Sequence, residues 1–451
     1  MHKLKRLLQR KRLKKEEAHK EEQGLARIPL EAPAVADSPK SPSLSNLERL
    51  PFEIRNACLL AIDSIADLSA LVHASPTFHE QYQLDRAFWL WHCLQLELGP
   101  VYVDAYIADQ CNAPEFRLKR SREKILLFIE DYKSHRSLTT DVFTKCPDED
   151  DIVSIAIFHS SVIRPLMHHY VSWTRTIMEP LSTPKEISRT EERRIMRGLY
   201  RFQIFSNLFG GVKGRDHGST YLGSEERLNL LLNDFVAWEI EEILCINAFA
   251  HAKYESVFEA IQWDLHPDNP SFDIVRTGPH TPPGAFHLVN HMSSEWYRNG
   301  MVSRGLSVLS SVFEAQDRPK LVEVVSEEIV AVVDDVLFRT TIPWYQESRR
   351  ETQHSDRDQA QDDREKMVFT GDSDDSPPFA WVVFWKEAYS NLFGDFIPRP
   401  LRQWGYIMWD KDRLDNTDAT AILDQEWKAM YTRPDAEDEP GDPRDEMLAY
   451  H

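Results

Sequence analysis

The chain has 451 residues, enough for the cores of two or three domains, and its 16 glycines are too few for a turn-rich β fold or extensive phosphate-binding loops. No apolar run reaches the roughly 18–20 residues that span a bilayer, no secretory signal opens the chain, and the five cysteines form no CxxC pair. From the scattered cysteines and the lack of a spanning run we expect an intracellular protein without a membrane partner. A formal charge of −20 repels nucleic acid, so we expect no nucleic-acid partner either.

Residues 1–45 predict a basic tail followed by a Pro/Ser-rich linker. The first twenty residues contain nine Lys or Arg and two Glu, although the chain as a whole is acidic. Such a cluster is typical of a nuclear-localisation signal, and an unstructured tail with no targeting role is the equal alternative. We therefore expect the protein in the nucleus, the cytoplasm or both. The basic residues of the cluster are Lys3, Lys5, Arg6, Arg10, Lys11, Arg12, Lys14 and Lys15.

Residues 46–98 predict three short amphipathic helices. The sequence LPFEI at 50–54 begins the first, because proline suits the first helical turn and loses no hydrogen bond there. Apolar residues then recur at every fourth position, at Ile54, Cys58 and Ile62. Asp67 is the expected N-cap of the second helix. The third begins after Ser75-Pro76 and runs to the end of the segment.

This stretch resembles the F-box, and more narrowly the F-box-like segments of many filamentous-fungal proteins. The residues that carry the resemblance are LPFEI, the Asp67-Leu68 pair and LVHASPTFHEQY at 71–82, with Phe78 where a tryptophan is common in the family. The resemblance implies that the first two helices bind the Skp-type adaptor of a cullin–RING ubiquitin ligase. The plainer alternative is a three-helix bundle that serves only as core. The adaptor-binding residues that the resemblance implies are Leu50, Pro51, Ile54, Cys58, Leu59, Ile62, Leu68 and Leu71.

Residues 99–345 predict a large, irregular helical domain. Residues 151–177 predict one long helix, kinked near its middle at Pro165. The helix that follows should end at Gly210 in a left-handed conformation. Phrases in this region, such as RGLYRFQIFSNLFG, also look like the helical C-terminal region of the fungal F-box-like proteins, to which no chemistry is attached.

A nearly continuous apolar stretch at 228–250 predicts a centrally buried helix. Glu239, Glu241 and Glu242 interrupt this stretch. Paired carboxylates can perform acid–base chemistry, but no second functional cluster lies near them in the sequence. We therefore interpret them as a solvated edge or as ion-pair partners of Arg or Lys.

Two motifs suggest catalysis or metal binding, and both are incomplete. Asp264 and Asn269 have the spacing of kinase-like catalytic loops, but the upstream lysine, the nucleotide-covering loop and the metal-binding aspartate are missing. His287 and His291 have the i, i+4 spacing of zinc ligands, but the HExxH glutamate and further ligands are missing. We expect a helix end and a Pro/His-rich loop, with no catalytic residue, cofactor or metal site.

The C-terminal part of the chain alternates sharply in composition. Residues 346–378 are polar and charged, which predicts a disordered insertion. Ten aromatic residues then fall between 379 and 409, so residues 379–430 should fold back onto the helices of 151–338. The expected anchors are Trp381, Phe384, Trp385, Trp404 and Trp409. Residues 431–451 predict a disordered acidic tail.

The sequence as a whole favours an all-α fold, with an F-box-like three-helix segment followed by a large irregular helical domain. We interpret the chain as a protein-interaction module, the substrate-receptor subunit of an SCF-type ubiquitin ligase with an unknown protein target. One alternative is a non-ligase helical scaffold with a degenerate F-box. The other is a phosphotransferase-like enzyme built around Asp264 and Asn269.

Overall fold

The structure is a computed structural model that describes residues 45–137, 148–178, 186–211, 222–416, 419–431 and 442–446. Regular secondary structure in these ranges is helical, apart from a single antiparallel bridge between Lys366 and Ala388. The all-α prediction is therefore confirmed. Residues 51–451 form one compact unit, and residues 1–50 form another, of which 45–50 are described. The basic cluster of the nuclear-localisation prediction lies outside the described residues.

The F-box-like segment contains four helices instead of the three that the sequence predicts. They are α1 (Phe52–Leu60), α2 (Ile65–Ala74), α3 (Pro76–Leu84) and α4 (Arg86–Leu98). The predicted third helix is divided at Asp85, whose backbone leaves the helical region. Ser64, and not Asp67, is the N-cap of α2, because its hydroxyl accepts a hydrogen bond of 3.1 Å from the Asp67 amide.

Among the described residues, the larger part of the unit adds twelve helices before residue 341. They are α5 (Tyr102–Asn112), α6 (Pro114–Leu118), α7 (Arg122–Ser137), α8 (Glu149–Phe158), α9 (Arg164–Met178), α10 (Arg189–Phe209), α11 (Ser224–Leu230), α12 (Ala237–Ile261), α13 (His291–Ser303), α14 (Leu306–Glu314), α15 (Arg318–Glu328) and α16 (Val336–Thr340). The same buried core includes Leu94 and Leu98 of α4 and continues into these helices. The unit therefore has no domain boundary at residue 98.

The long helices α10 and α12 form the centre of the unit and pack along each other. Gly198 allows their close approach, because an added Cβ atom would lie 3.0 Å from the carbonyl oxygen of Glu242. Gly210, at the end of α10, has a φ of −72°, so the prediction of a left-handed cap is wrong. Glycine is required there for space, because a Cβ atom would lie 2.0 Å from the carbonyl oxygen of Ser303.

The helix predicted over 151–177 is interrupted, but not by a simple proline kink. A π-helical turn at His159–Ile163 separates α8 from α9. Pro165 is the second residue of α9, which begins immediately after this turn. The wider turn accommodates a residue that has no N–H group to donate.

The prediction that residues 346–378 are disordered is wrong. This segment contains most of α17 (Pro343–Thr352) and all of α18 (Asp356–Asp362). Arg349 and Asp358 form a buried ion pair, with 2.8 Å between Nη2 and Oδ1, and Asn391 donates a 2.8 Å hydrogen bond to the same Asp358 oxygen. The segment folds because its polar side chains bond to one another, although it contains few apolar residues.

The aromatic C-terminal stretch shares the core of α12. Its helices are α19 (Phe379–Phe384), α20 (Arg399–Gln403), α21 (Lys411–Leu414), α22 (Ala419–Tyr431) and α23 (Pro443–Glu446). All five expected aromatic anchors are buried. The ring of Trp381 lies edge-on to that of Trp238 in α12, with 6.4 Å between their centroids. Most of the predicted acidic tail lies outside the described residues.

Candidate functional site

Helix α1 carries an apolar stripe that no other part of the described chain covers. Ile54 is 49% exposed and Leu60 is 44% exposed, and Ala57 and Ala61 are also exposed. Residues three apart lie next to each other on a helix, so Ile54, Ala57 and Leu60 form one continuous surface. We call Ile54, Ala57, Leu60 and Ala61 the α1 stripe.

The eight residues predicted to bind the adaptor divide into three groups. Pro51 and Ile54 are exposed, Cys58, Ile62 and Leu71 are half-buried, and Leu59 and Leu68 are core residues. Leu50 is half-buried and belongs to the first unit. The exposed apolar face is therefore rotated from the predicted line of Ile54, Cys58 and Ile62. Leu59 and Leu68 are not accessible to a partner in this conformation.

Gln81 of α3 fixes the position of α1. Only 3% of this residue is exposed. Its Oε1 accepts a 2.8 Å hydrogen bond from Arg55 Nε, and its Nε2 donates to the Phe52 carbonyl oxygen at 3.2 Å and to Asn56 Oδ1. One buried amide therefore bonds to three residues of α1, so the α1 stripe is held on a rigid helix.

Glu97 connects the F-box-like segment to the rest of the unit. Its buried carboxylate accepts a 2.9 Å hydrogen bond from the Ile65 amide and lies 3.1 Å from His159 Nε2 and 3.5 Å from Arg164 Nε. Burial alone raises the pKa of Glu97, but the nearby His159, the Ile65 amide and Arg164 together lower it below its ordinary value. The F-box-like segment is thus joined to α8 and α9 by polar as well as apolar contacts.

The three glutamates of α12 form ion pairs with arginines, so of the two sequence interpretations the ion-pair one is confirmed and the solvated edge is wrong. Glu241 pairs with Arg402 at 2.8 Å, and Glu242 pairs with Arg197 at 2.6 Å. Glu239 lies 3.1 Å from Arg201 Nη1. Arg197 and Arg201 are four residues apart on α10, which places both on the side that faces α12. Because each carboxylate has a cationic partner, these residues have a structural role.

The residues of the kinase-like motif have structural contacts of their own. Arg318 Nε donates a 2.8 Å hydrogen bond to Asp264 Oδ2, and Arg318 Nη2 lies 2.7 Å from the same oxygen in an ion pair. Asn269 Nδ2 donates to the Trp263 carbonyl oxygen at 2.8 Å, and its Oδ1 accepts from the Ser271 amide at 2.9 Å. These are the contacts of a side chain that stabilises a turn.

The two histidines of the zinc-like spacing do not share a helix. His287 lies in a loop, and His291 is the first residue of α13. Among the residues that the structure describes, no group of three or more His, Cys, Asp or Glu side chains is arranged to hold a metal ion.

Comparison of the chain with protein-family models, with curated proteins and with solved structures found no match. Within the described ranges, no helix combines the length and the apolar character that crossing a bilayer requires. The candidate site therefore depends on the residues themselves, and the α1 stripe is the feature that they support best. Sequence reasoning missed Gln81 and Glu97, because a single buried amide or carboxylate leaves no periodic signal.

Proposed function

We propose that this chain is a protein-interaction subunit whose F-box-like helices dock on the Skp-type adaptor of a cullin–RING ubiquitin ligase. The helical body would then receive a protein target, and the ligase chemistry would lie on partner proteins. The observation that carries the proposal is the α1 stripe. It consists of exposed apolar side chains on the helix that the F-box resemblance assigns to the adaptor.

Rigidity supports this function. A ligand surface that is already ordered loses less conformational entropy on binding, so the same apolar contact area yields a higher affinity. Gln81 orders α1 through three residues, and Glu97 joins α2 and α4 to the body. The contact with an adaptor would thus be transmitted to the whole unit through an ordered connection.

The test is calorimetric titration of the full chain with a purified Skp-type adaptor. We expect wild-type protein to bind with at least micromolar affinity, and Ile54→Asp to weaken binding at least ~100-fold. The reason is that an unpaired carboxylate in an apolar contact costs about 3 kcal/mol or more, and each 1.4 kcal/mol corresponds to about tenfold in affinity. Because Ile54 is half exposed in the free chain, Ile54→Asp should leave the circular dichroism spectrum unchanged.

Leu127→Asp provides the matched control. Leu127 is 66% exposed on α7 and also presents an apolar side chain to solvent. This variant should bind the adaptor as the wild type does. Absence of adaptor binding by the wild type at micromolar concentration would instead favour a helical scaffold without a ligase role. Equal losses in the two variants would show that the α1 stripe is not the contact.

A further inference from the structure

A groove of about 610 Å³ lies between α17, α20 and α22, and adaptor docking by the α1 stripe does not use it. Its lining is mainly apolar and includes Pro343, Pro398, Pro400, Met430 and Tyr431. The volume lies within the roughly 300–1,000 Å³ range of ligand sites. Because proline has no N–H group, the proline-lined walls offer few hydrogen-bond donors. A ligand must therefore gain most of its affinity there from apolar contact.

Contacts behind its surface hold the groove in shape. The Tyr431 hydroxyl donates a 3.0 Å hydrogen bond to the Phe396 carbonyl oxygen, which joins α22 to the turn before α20. Trp427, one turn earlier in α22, is only 1% exposed. Its ring centre lies 4.6 Å from that of Phe384 in α19 and 4.6 Å from that of Tyr431. A surface that is ordered in advance loses little conformational entropy when a ligand binds.

The charges along the groove favour a cationic ligand. Its charged lining residues are Asp395, Arg399 and Glu426. Arg399 Nη2 lies 3.9 Å from Asp395 Oδ1, so these two charges largely offset each other. Glu426 is half-buried and forms no ion pair with another of the described residues. Its carboxylate therefore remains for a basic side chain, and the formal charge of −20 on the whole chain attracts basic partners as well.

An exposed tryptophan lies at the same end of α17. Trp344 follows Pro343 directly in the chain and is 71% exposed. Tryptophan is enriched among the residues that dominate the energy of protein–protein binding, and burial of so exposed a ring removes a large apolar area from water. A peptide is long enough to contact both Trp344 and the groove, which favours a protein ligand over a small molecule.

We propose that this groove binds a short segment of the protein target that carries a large apolar side chain and a nearby lysine or arginine. The apolar side chain packs on the proline-lined walls, and the basic side chain pairs with Glu426. The identity of the ligand as a target rests on the function proposed above, whereas the binding itself does not. Glu426 repels an acidic segment. A basic segment without an apolar side chain gains too little, because a partly exposed ion pair contributes less than about 1 kcal/mol.

The experiment is a fluorescence-polarisation titration of the full chain with labelled peptides of about eight residues. Each peptide consists of Ser and Gly, except for one Leu, Met or Phe and one Lys placed two to four residues away. Two matched sets replace the Lys by Glu or the apolar residue by Ser. We expect at least one apolar–Lys peptide to bind saturably, with a dissociation constant of about 100 μM or lower. Its Glu and Ser counterparts should each bind at least about tenfold more weakly.

Four variants of α22 complete the test. Glu426→Lys reverses the charge at the groove, so it should lose the apolar–Lys peptide and gain affinity for the Glu counterpart, a gain that misfolding cannot produce. Ala429→Trp fills the groove and should abolish binding of both peptides. Gln425→Lys and Ala421→Trp are the controls, because both positions are exposed on the same helix and lie outside the groove.

The proposal is overturned if no apolar–Lys peptide binds the wild type at about 1 mM, if the Glu counterpart binds equally well, or if Glu426→Lys and Ala429→Trp bind as their controls do. Ile54→Asp separates this proposal from adaptor docking, because it should lose the adaptor and bind the peptide as the wild type does. A wild-type chain that binds the peptide but no adaptor would refute adaptor docking and support the groove. The reverse result would refute the groove alone.

Discussion

The ion pair between Glu241 and Arg402 allows a quantitative test of how the C-terminal stretch is held. Glu241 is fully buried and accepts from Arg402 Nε at 2.8 Å and Nη2 at 2.9 Å. It also accepts from the Gly394 amide at 2.8 Å and the Tyr406 hydroxyl at 3.3 Å. Replacing one partner leaves a charge buried without compensation, so we expect Glu241→Leu to lower the free energy of unfolding by about 3–5 kcal/mol.

The double variant Glu241→Leu/Arg402→Met separates the charge from the other contacts. Removing both charges restores part of the loss, because a buried ion pair is often no more stabilising than apolar side chains of similar volume. What remains is the cost of leaving the Gly394 amide and the Tyr406 hydroxyl without their acceptor, about 1 kcal/mol for each. We therefore expect the double variant to be more stable than Glu241→Leu by roughly 2 kcal/mol.

Urea unfolding followed by circular dichroism measures these differences. Asp273→Ala is the control, since its carboxylate is 67% exposed beside Arg276 and such surface pairs contribute less than about 1 kcal/mol. The reasoning is refuted if Glu241→Leu costs less than about 1 kcal/mol, or if the double variant loses the sum of the two single losses.

Two further predictions concern close packing and the folded polar segment. Gly300→Ala should lower the free energy of unfolding in urea by about 2 kcal/mol or more, because the added Cβ atom would lie 1.8 Å from the Val330 carbonyl oxygen. Gly278→Ala is the control and should be nearly neutral, because no atom lies within 4 Å of its added Cβ atom. Residues 343–362 should show slow amide hydrogen exchange, because most of them lie in α17 and α18. The Asn391 amide should also exchange slowly, because it donates to Gln361 Oε1 at 2.6 Å. Exchange at unprotected rates throughout would contradict a folded segment.

Helical periodicity predicted the fold class and the central position of α12, because an apolar repeat reports burial directly. It did not determine the exposed face of α1. This helix has apolar residues on more than one side, and tertiary contacts such as those of Gln81 decide which side faces the core. The composition of residues 346–378 likewise led to the wrong prediction of disorder. Polar residues there bond to specific partners: Arg349 pairs with the nearby Asp358, and Asp358 accepts from the more distant Asn391. The pattern of neighbouring residues in a sequence does not predict such pairings.

The same limit explains the glutamates of α12, whose partners come from α7, α10 and α20. Glu239 shows the consequence most clearly. Its carboxylate lies 3.1 Å from Arg201, 3.4 Å from Arg136 and 3.9 Å from Arg197. Burial raises its pKa, but the three guanidinium groups outweigh burial and lower the pKa from its ordinary value of 4.5 to about 2.

This pKa shift predicts a specific pH dependence of stability. Because the pKa is lower in the folded than in the unfolded state, Glu239 stabilises the fold at pH values above about 4.5, by about 3 kcal/mol, and the contribution declines as the pH falls toward 2. Glu239→Gln should therefore be less stable than the wild type at pH 6. The difference should shrink by about 1.4 kcal/mol between pH 6 and pH 3.5 in urea unfolding, because only the roughly one pH unit below about 4.5 contributes and each unit there corresponds to about 1.4 kcal/mol. Glu259→Gln, an exposed position on the same helix, should show no such change. A constant difference between Glu239→Gln and the wild type across this range would mean that the three arginines do not hold the carboxylate in its ionised form.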